Sequence, residues 1–227
     1  SGTNANGLYT ASNGTANSGD SYSFGVIDEE DRSLGCLQSG SLIPTFGVGF
    51  INATSSSFSG LKVTYTGEQW RLGAINRPDR LDFQISTDAT NLSNGTWKDI
   101  DSLDLVAPVK AGTVGALNGN LPENKVLITY LIKDLNIEPG QKFYLRCKDF
   151  NATGADDALG IEDFKMEGIL GASTNESPTI LSLFPNNMAK GVNVTSTFSI
   201  AFSKTIKIGS GNILVRKSDT REIAALI

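Results

Sequence analysis

The sequence predicts an all-β protein: a jelly-roll β-sandwich followed by the first part of an Ig-like β-sandwich. Three observations lead there. Apolar and polar residues alternate in many short runs, the period of a strand with one buried face. Gly, Pro, Asn, Asp and Ser clusters break the chain about every ten residues, as turns between short strands do. No segment carries a convincing helical period. Many short antiparallel strands joined by such turns build sandwiches and barrels.

The elements follow in chain order. TFGVGFIN sets Phe46, Val48 and Phe50 on one face, and LKVTY does the same with Leu61, Val63 and Tyr65. LDFQIS repeats the pattern with Leu81, Phe83 and Ile85. VLITYLI, from Val126, is a continuous apolar run and predicts a strand covered on both faces. KFYLRCKD turns Phe143, Leu145 and Cys147 inward and Tyr144, Arg146 and Lys148 outward. Near the end, Leu159 and Ile161 share one parity while Phe164 and Met166 share the other. That change of face predicts a β-bulge at Glu162 and Asp163.

GASTNESP, Gly171 to Pro178, is small, polar and closed by proline, which marks a linker. The predicted boundaries are 1–169 for the sandwich module, 170–178 for the linker and 179–227 for the Ig-like part. In the last segment FSIAFS aligns Phe198, Ile200 and Phe202, and NILVRK aligns Ile213 and Val215. An Ig-like sandwich needs roughly 100 residues, about twice what the segment supplies. Its apolar face is therefore expected to be covered by the first module, by further residues, or by a strand-completing contact with a neighbouring chain.

Composition narrows the function. The chain of 227 residues is 39% hydrophobic and 19% charged, which is globular. No apolar run is long enough to insert in a membrane. A net charge of −5 without a basic stripe speaks against nucleic acid as a partner. The absence of histidine removes Ser-His-Asp and Cys-His catalysis and the usual zinc sites. Calcium, held by carboxylates, amides and backbone oxygens, is the metal that fits what remains. The opening SGTNANG has no basic and apolar leader, as in a mature secreted form or a segment of a longer protein. Seven N-x-S/T sequons, at Asn13, Asn52, Asn91, Asn94, Asn151, Asn175 and Asn193, accompany a composition rich in Asn, Ser and Thr.

Two stretches carry candidate sites. In TYTGEQWRLG, Glu68, Gln69, Trp70 and Arg71 are packed together. They make either a sugar-facing patch, with Trp70 stacked on a pyranose and Glu68, Gln69 and Arg71 bonding hydroxyls, or a clasp in which Trp70 plugs the sandwich and Glu68 pairs with an arginine. In DFNATGADDALGIEDF, Asp149, Asp156, Asp157 and Asp163 form a dense oxygen set that suits calcium, or else a solvated acidic loop. Arg32, after the acidic run DEED, is a candidate partner for Glu68 or Asp163. Glu68 and Asp163 could in principle serve as the carboxylate pair of a glycoside hydrolase, but no substrate cleft is visible in the pattern.

The pieces ASNGTANSGDSYSFG, DRSLGCLQSG, YTGEQWR, LDFQIS, ALNGN with PENK, IEPGQKFYLRCKD and DDALGIEDF run in order across residues 9 to 168. In this they resemble a secreted module of Bacteroidetes and some cyanobacteria. The resemblance implies a jelly-roll fold and a place in large surface or secreted proteins. Such proteins carry Ig-like repeats, nuclease or phosphoesterase domains, and C-terminal signals for type IX secretion. It implies no catalytic role. LGIEDF is similar to the last strand of MAM and lectin-like sandwiches. PNNMAKGVNVTSTFSIAFSKTIKIGSGNILVRK resembles the front half of a bacterial Ig-like domain of the S-layer type. Cys36 stands where the module has a small residue and Cys147 where it has an aromatic. This paired departure implies a disulfide between them, formed in an oxidising compartment.

Together these readings predict a non-catalytic module pair, secreted or at the cell surface, acting in adhesion or carbohydrate binding with glycans or cell-surface polysaccharide as partners. A purely structural spacer or filament subunit is the first alternative. An ancillary domain of a secreted hydrolase or nuclease is the second.

Overall fold

A computed structural model describes residues 9–40, 42–171, 178–186, 188–193, 195–206, 209–210, 214–216 and 223–226. The chain divides into two compact units, Ser1–Ser173 and Thr174–Ile227. The division falls inside the expected linker, of which residues 172–177 lie outside the described residues. Among the described residues no helix is long and apolar enough to cross a membrane.

The first unit contains β1 (Thr10–Ser12), β2 (Asp20–Phe24), β3 (Ser33–Leu37), β4 (Thr45–Ile51), β5 (Phe58–Leu72), β6 (Arg80–Ser86), β7 (Lys98–Asp99), β8 (Leu105–Val106), β9 (Gly115–Ala116), β10 (Lys125–Ile132), β11 (Lys142–Asp149) and β12 (Ala158–Leu170). One sheet runs β1-β2-β3-β12-β5-β10, with β9 against β5. The other runs β4-β11-β6-β7, with β8 against β6. The chain changes sheet at β3–β4, β4–β5, β5–β6, β8–β9, β10–β11 and β11–β12. Within each sheet most neighbours are distant in sequence and antiparallel. This is the jelly-roll order of a double-sheet sandwich.

The predicted inward residues meet between the sheets. Leu61, Val63 and Tyr65 of β5 face Leu81, Phe83 and Ile85 of β6 and Phe143, Leu145 and Cys147 of β11 in one core. The Tyr65 and Phe83 rings stack at 6.1 Å, a geometry that adds to their burial. Phe46 is buried as expected, but Val48 is exposed because β4 is the edge strand of its sheet.

The bulge lies where the change of parity places it. Glu162 pairs with Thr66, the next pair is Lys165 with Thr64, and Asp163 takes φ 50°. Phe164 and Met166 thereby return to the core. The expectation for VLITYLI is corrected. β10 is the edge strand of its sheet, and Leu127 is 70% exposed. A continuous apolar run does not reveal whether a strand lies at the centre or the edge; the pairing of distant strands decides that.

In the second unit β13 (Ile180–Phe184) pairs with β14 (Ser199–Phe202), and β15 (Leu214–Arg216) with β16 (Ile223–Leu226). Ile180, Leu181, Phe184, Phe198 and Ile200 are exposed. Ile213 lies outside the described residues.

Candidate functional site

The GEQWR stretch is buried as in a clasp, but Glu68 is held by the Trp70 indole and not by an arginine. Even-numbered residues of β5 from Lys62 to Trp70 point away from the sandwich core. There Trp70 forms a second small core with Tyr22, Phe24, Leu37 and Ala158. Its ring is stacked on Phe24 at 6.0 Å. The indole Nε1 donates to Glu68 Oε2 at 2.8 Å and Ser33 Oγ at 2.9 Å. Two glycines make room for it. A Cβ on Gly14, which has φ +86°, would lie 1.9 Å from the Trp70 carbonyl oxygen, and one on Gly119 would lie 2.4 Å from the indole.

Glu68, Gln69 and Trp70 are each 0% exposed, so the sugar-facing reading of this patch is overturned. No pyranose can reach the ring. Gln69 points the other way, donating to Val109 O and Asp157 Oδ2 and accepting from Val109 N. Arg71 Nη1 donates to Gly14 O at 3.3 Å. Arg32 is not the partner of Glu68 or Asp163: it donates to Ser23 Oγ and to the Ser23 carbonyl. The carboxylate beside Glu68 is Glu162, one residue from the predicted Asp163.

The acidic loop is a hydrogen-bonded staple. Asp157 accepts from Gly73 N at 2.7 Å and Gln69 Nε2 at 2.9 Å. Arg77 lies 3.5 Å from Asp157 and 3.0 Å from Asp79, which itself accepts from Asp157 N. Asp156 accepts from Ala152 N. Asp149 accepts from the Cys36 thiol, and burial pushes its carboxyl well above the usual range. Asp163 is exposed at the bulge, apart from the other three. The expected four-carboxylate calcium set is thus not assembled: Asp163 stands apart, Asp156 and Asp157 are engaged by amides and Arg77, and Asp149 turns one oxygen to the Cys36 thiol. Among the described residues no three His, Cys, Asp or Glu side chains are placed to hold a metal ion.

Cys36 and Cys147 come from opposite sheets into one core, yet both are free thiols. The expected disulfide is corrected: the Cys36 Sγ is turned to Asp149 Oδ2 at 3.4 Å. Burial pushes both thiols up, Cys147 to about 12, so both stay protonated and unreactive.

An accessible site lies elsewhere, at the sandwich edge where β7 and the turn after it approach β10. The segment before β7 is held by short-range polar bonds. Asp88 Oδ1 accepts from Ser86 Oγ and Thr96 N, and Asn94 Oδ1 accepts from Thr90 N. Gly95, at φ +82°, completes the Asn-Gly turn. Trp97 then lies against Arg146, whose guanidinium is 3.7 Å from the ring centroid. Arg146 donates to Gln84, and Gln84 donates to Asp99 at 2.6 Å. This chain fixes β7 at the mouth of a cleft of about 360 Å³. Ile100, Ile132 and Tyr130 supply its apolar surface, and Lys98, Asp99, Asp101, Ser102, Lys133 and Asp134 its polar groups. Tyr130 is 41% exposed. A half-exposed ring among carboxylates, ammonium groups and a hydroxyl can stack on one face of a ligand and hydrogen-bond its edges.

Sequence reasoning missed this cleft. Its residues come from two stretches that meet only in the fold, and Tyr130 is hidden in an apolar run. The available signal was the run WKDIDS, dense in hydrogen-bonding groups directly after a Trp.

No family model, no curated protein and no solved structure matches the chain.

Proposed function

We propose that the jelly-roll unit is a non-catalytic binding module of a large bacterial surface or secreted protein, and that it acts in adhesion by holding carbohydrate in the cleft beside Tyr130. The observation that carries the reading is the cleft itself: an aromatic ring at half exposure, ringed by acceptors and donors suited to hydroxyl groups. Its volume is at the small end of the ~300–1,000 Å³ common for ligand sites, which suits one or two sugar units at a chain end. Asp99, Asp101 and Asp134 accept from hydroxyls, Lys98 and Lys133 donate, and Tyr130 stacks on C–H faces.

A glycan array on the protein tests this, followed by calorimetry with any hit. Tyr130→Ala is expected to weaken binding at least tenfold, while Lys148→Ala, on the outer face of β11, leaves it unchanged. Silence across plant, algal and host glycans would favour the spacer reading, which the fully buried Trp70 clasp supports independently.

A further inference from the structure

Three carboxylates meet on the outer face of the β3-β12-β5 sheet, apart from the cleft. Gly160 of β12 lies opposite Glu68 of β5, so Glu162, two residues on, projects from the same face. Its carboxyl is within hydrogen-bonding reach of both Glu68 and Asp31, the latter in the loop before β3. Glu68 is fully buried; Trp70 takes its Oε2, and its Oε1 has no donor.

Among the described residues no cation closes this group. Arg32 is directed to Ser23. Lys125 lies opposite Glu68 on β10, and Lys165 follows on β12. Lys165 pairs with Glu167, and among the described residues no ion pair joins either lysine to Asp31, Glu68 or Glu162. Ser33, Thr66 and Trp70, the other near groups, are neutral. Asp28, Glu29 and Glu30 add only negative charge from the exposed loop.

Neighbouring carboxyl groups in hydrogen-bonding reach, without a cation, do not both ionise readily; they share a proton. We propose that Glu162 carries a proton that it donates to the unpartnered Glu68 Oε1, and that this bond is a pH-sensitive latch locking strands β1–β3 over Trp70. The proton supplies the donor that Glu68 Oε1 otherwise lacks.

Burial, with Asp31 and Glu68 beside it, pushes Glu162 up to about 8, against an ordinary value near ~4.3 that the unfolded chain regains. Between those values the folded chain holds the extra proton. The latch therefore contributes fully below the lower value and is lost as pH rises to the upper. Tyr22, also at the clasp, is raised above its ordinary 10.0 and does not interfere.

The chain has two tryptophans, Trp70 and Trp97, so Trp97→Phe leaves Trp70 as the sole reporter. In that variant the emission maximum is expected to move to the red, and acrylamide quenching to rise, between pH 6 and 9. Adding Glu162→Gln, whose amide donates at every pH, is expected to flatten both curves. Flat curves in the single variant, or equal transitions in both, overturn the latch. Should the double variant fail to fold, hydrogen exchange on the unaltered protein, corrected for intrinsic pH dependence, decides. Protection lost selectively in Ser33–Leu37 relative to Lys142–Asp149 supports the latch, and parallel loss overturns it.

Discussion

Trp70 shows how one residue supports two incompatible readings until its surroundings are known. A tryptophan among Glu68, Gln69 and Arg71 is the same string whether it faces solvent or protein. Strand parity places it outside the main core, and it is buried by Tyr22, Phe24 and Leu37 of β2 and β3 together with the Gly14 turn and the Leu117–Gly119 segment. The candidate site was therefore legible as a cluster and illegible as to its exposure. Trp70→Ala is expected to cost about 3–5 kcal/mol in urea unfolding, the range for deleting a buried large side chain. Trp70→Phe keeps much of the contact with Phe24 but strips the donor from Glu68 Oε2, and about 1–3 kcal/mol is expected for that orphaned acceptor. At the cysteines, thiol titration of the unfolded, unreduced protein is expected to give two reactive groups per chain. A value near zero would restore the bridge.

Among the elements, β12 was the most legible and β10 the least. The β12 change of parity is a local property, so the bulge follows from side chains alone. Deleting Asp163 removes the extra residue, so that Ile161, Glu162, Phe164, Lys165 and Met166 alternate without a break and Phe164 and Met166 still face the core, whereas deleting Lys165 turns Met166 outward and Glu167 in. We expect the Lys165 deletion to destabilise the unit far more than the Asp163 deletion, as chemical denaturation of both would reveal. The position of β10 at an edge depends on partners distant in sequence, which no local pattern encodes. Its free edge is bounded by Lys125 and Lys133, charges that disfavour further pairing. Leu127→Lys is expected to change stability by no more than about 0.5 kcal/mol, as for an exposed position. Light scattering on heating should fall in that variant, since an exposed apolar edge strand promotes association.

For the molecule as a whole, the class and the division into two units were legible because they rest on periodicity and on a polar linker. The cleft was not, because it is assembled from β7 and β10, which lie at the edges of different sheets. Residues 1–173 alone are expected to fold, giving a dispersed amide spectrum. Residues 178–227 alone, with Ile180, Leu181, Phe184 and Phe198 exposed, are expected to be unfolded or to aggregate. A dispersed spectrum from that fragment as a monomer would place the second domain's end differently. There remains the location of β12, the last strand of its unit, between β3 and β5. A chain leaving the ribosome amino end first has no central strand until residues 158–170 emerge. Until then β3 and β5 lack the partner that joins them, and the small core lacks Ala158. Closure is consequently a late event, governed by contacts of long sequence separation and slow for that reason. Until then this unit is open, and a pause in translation just before Ala158 would hold it so.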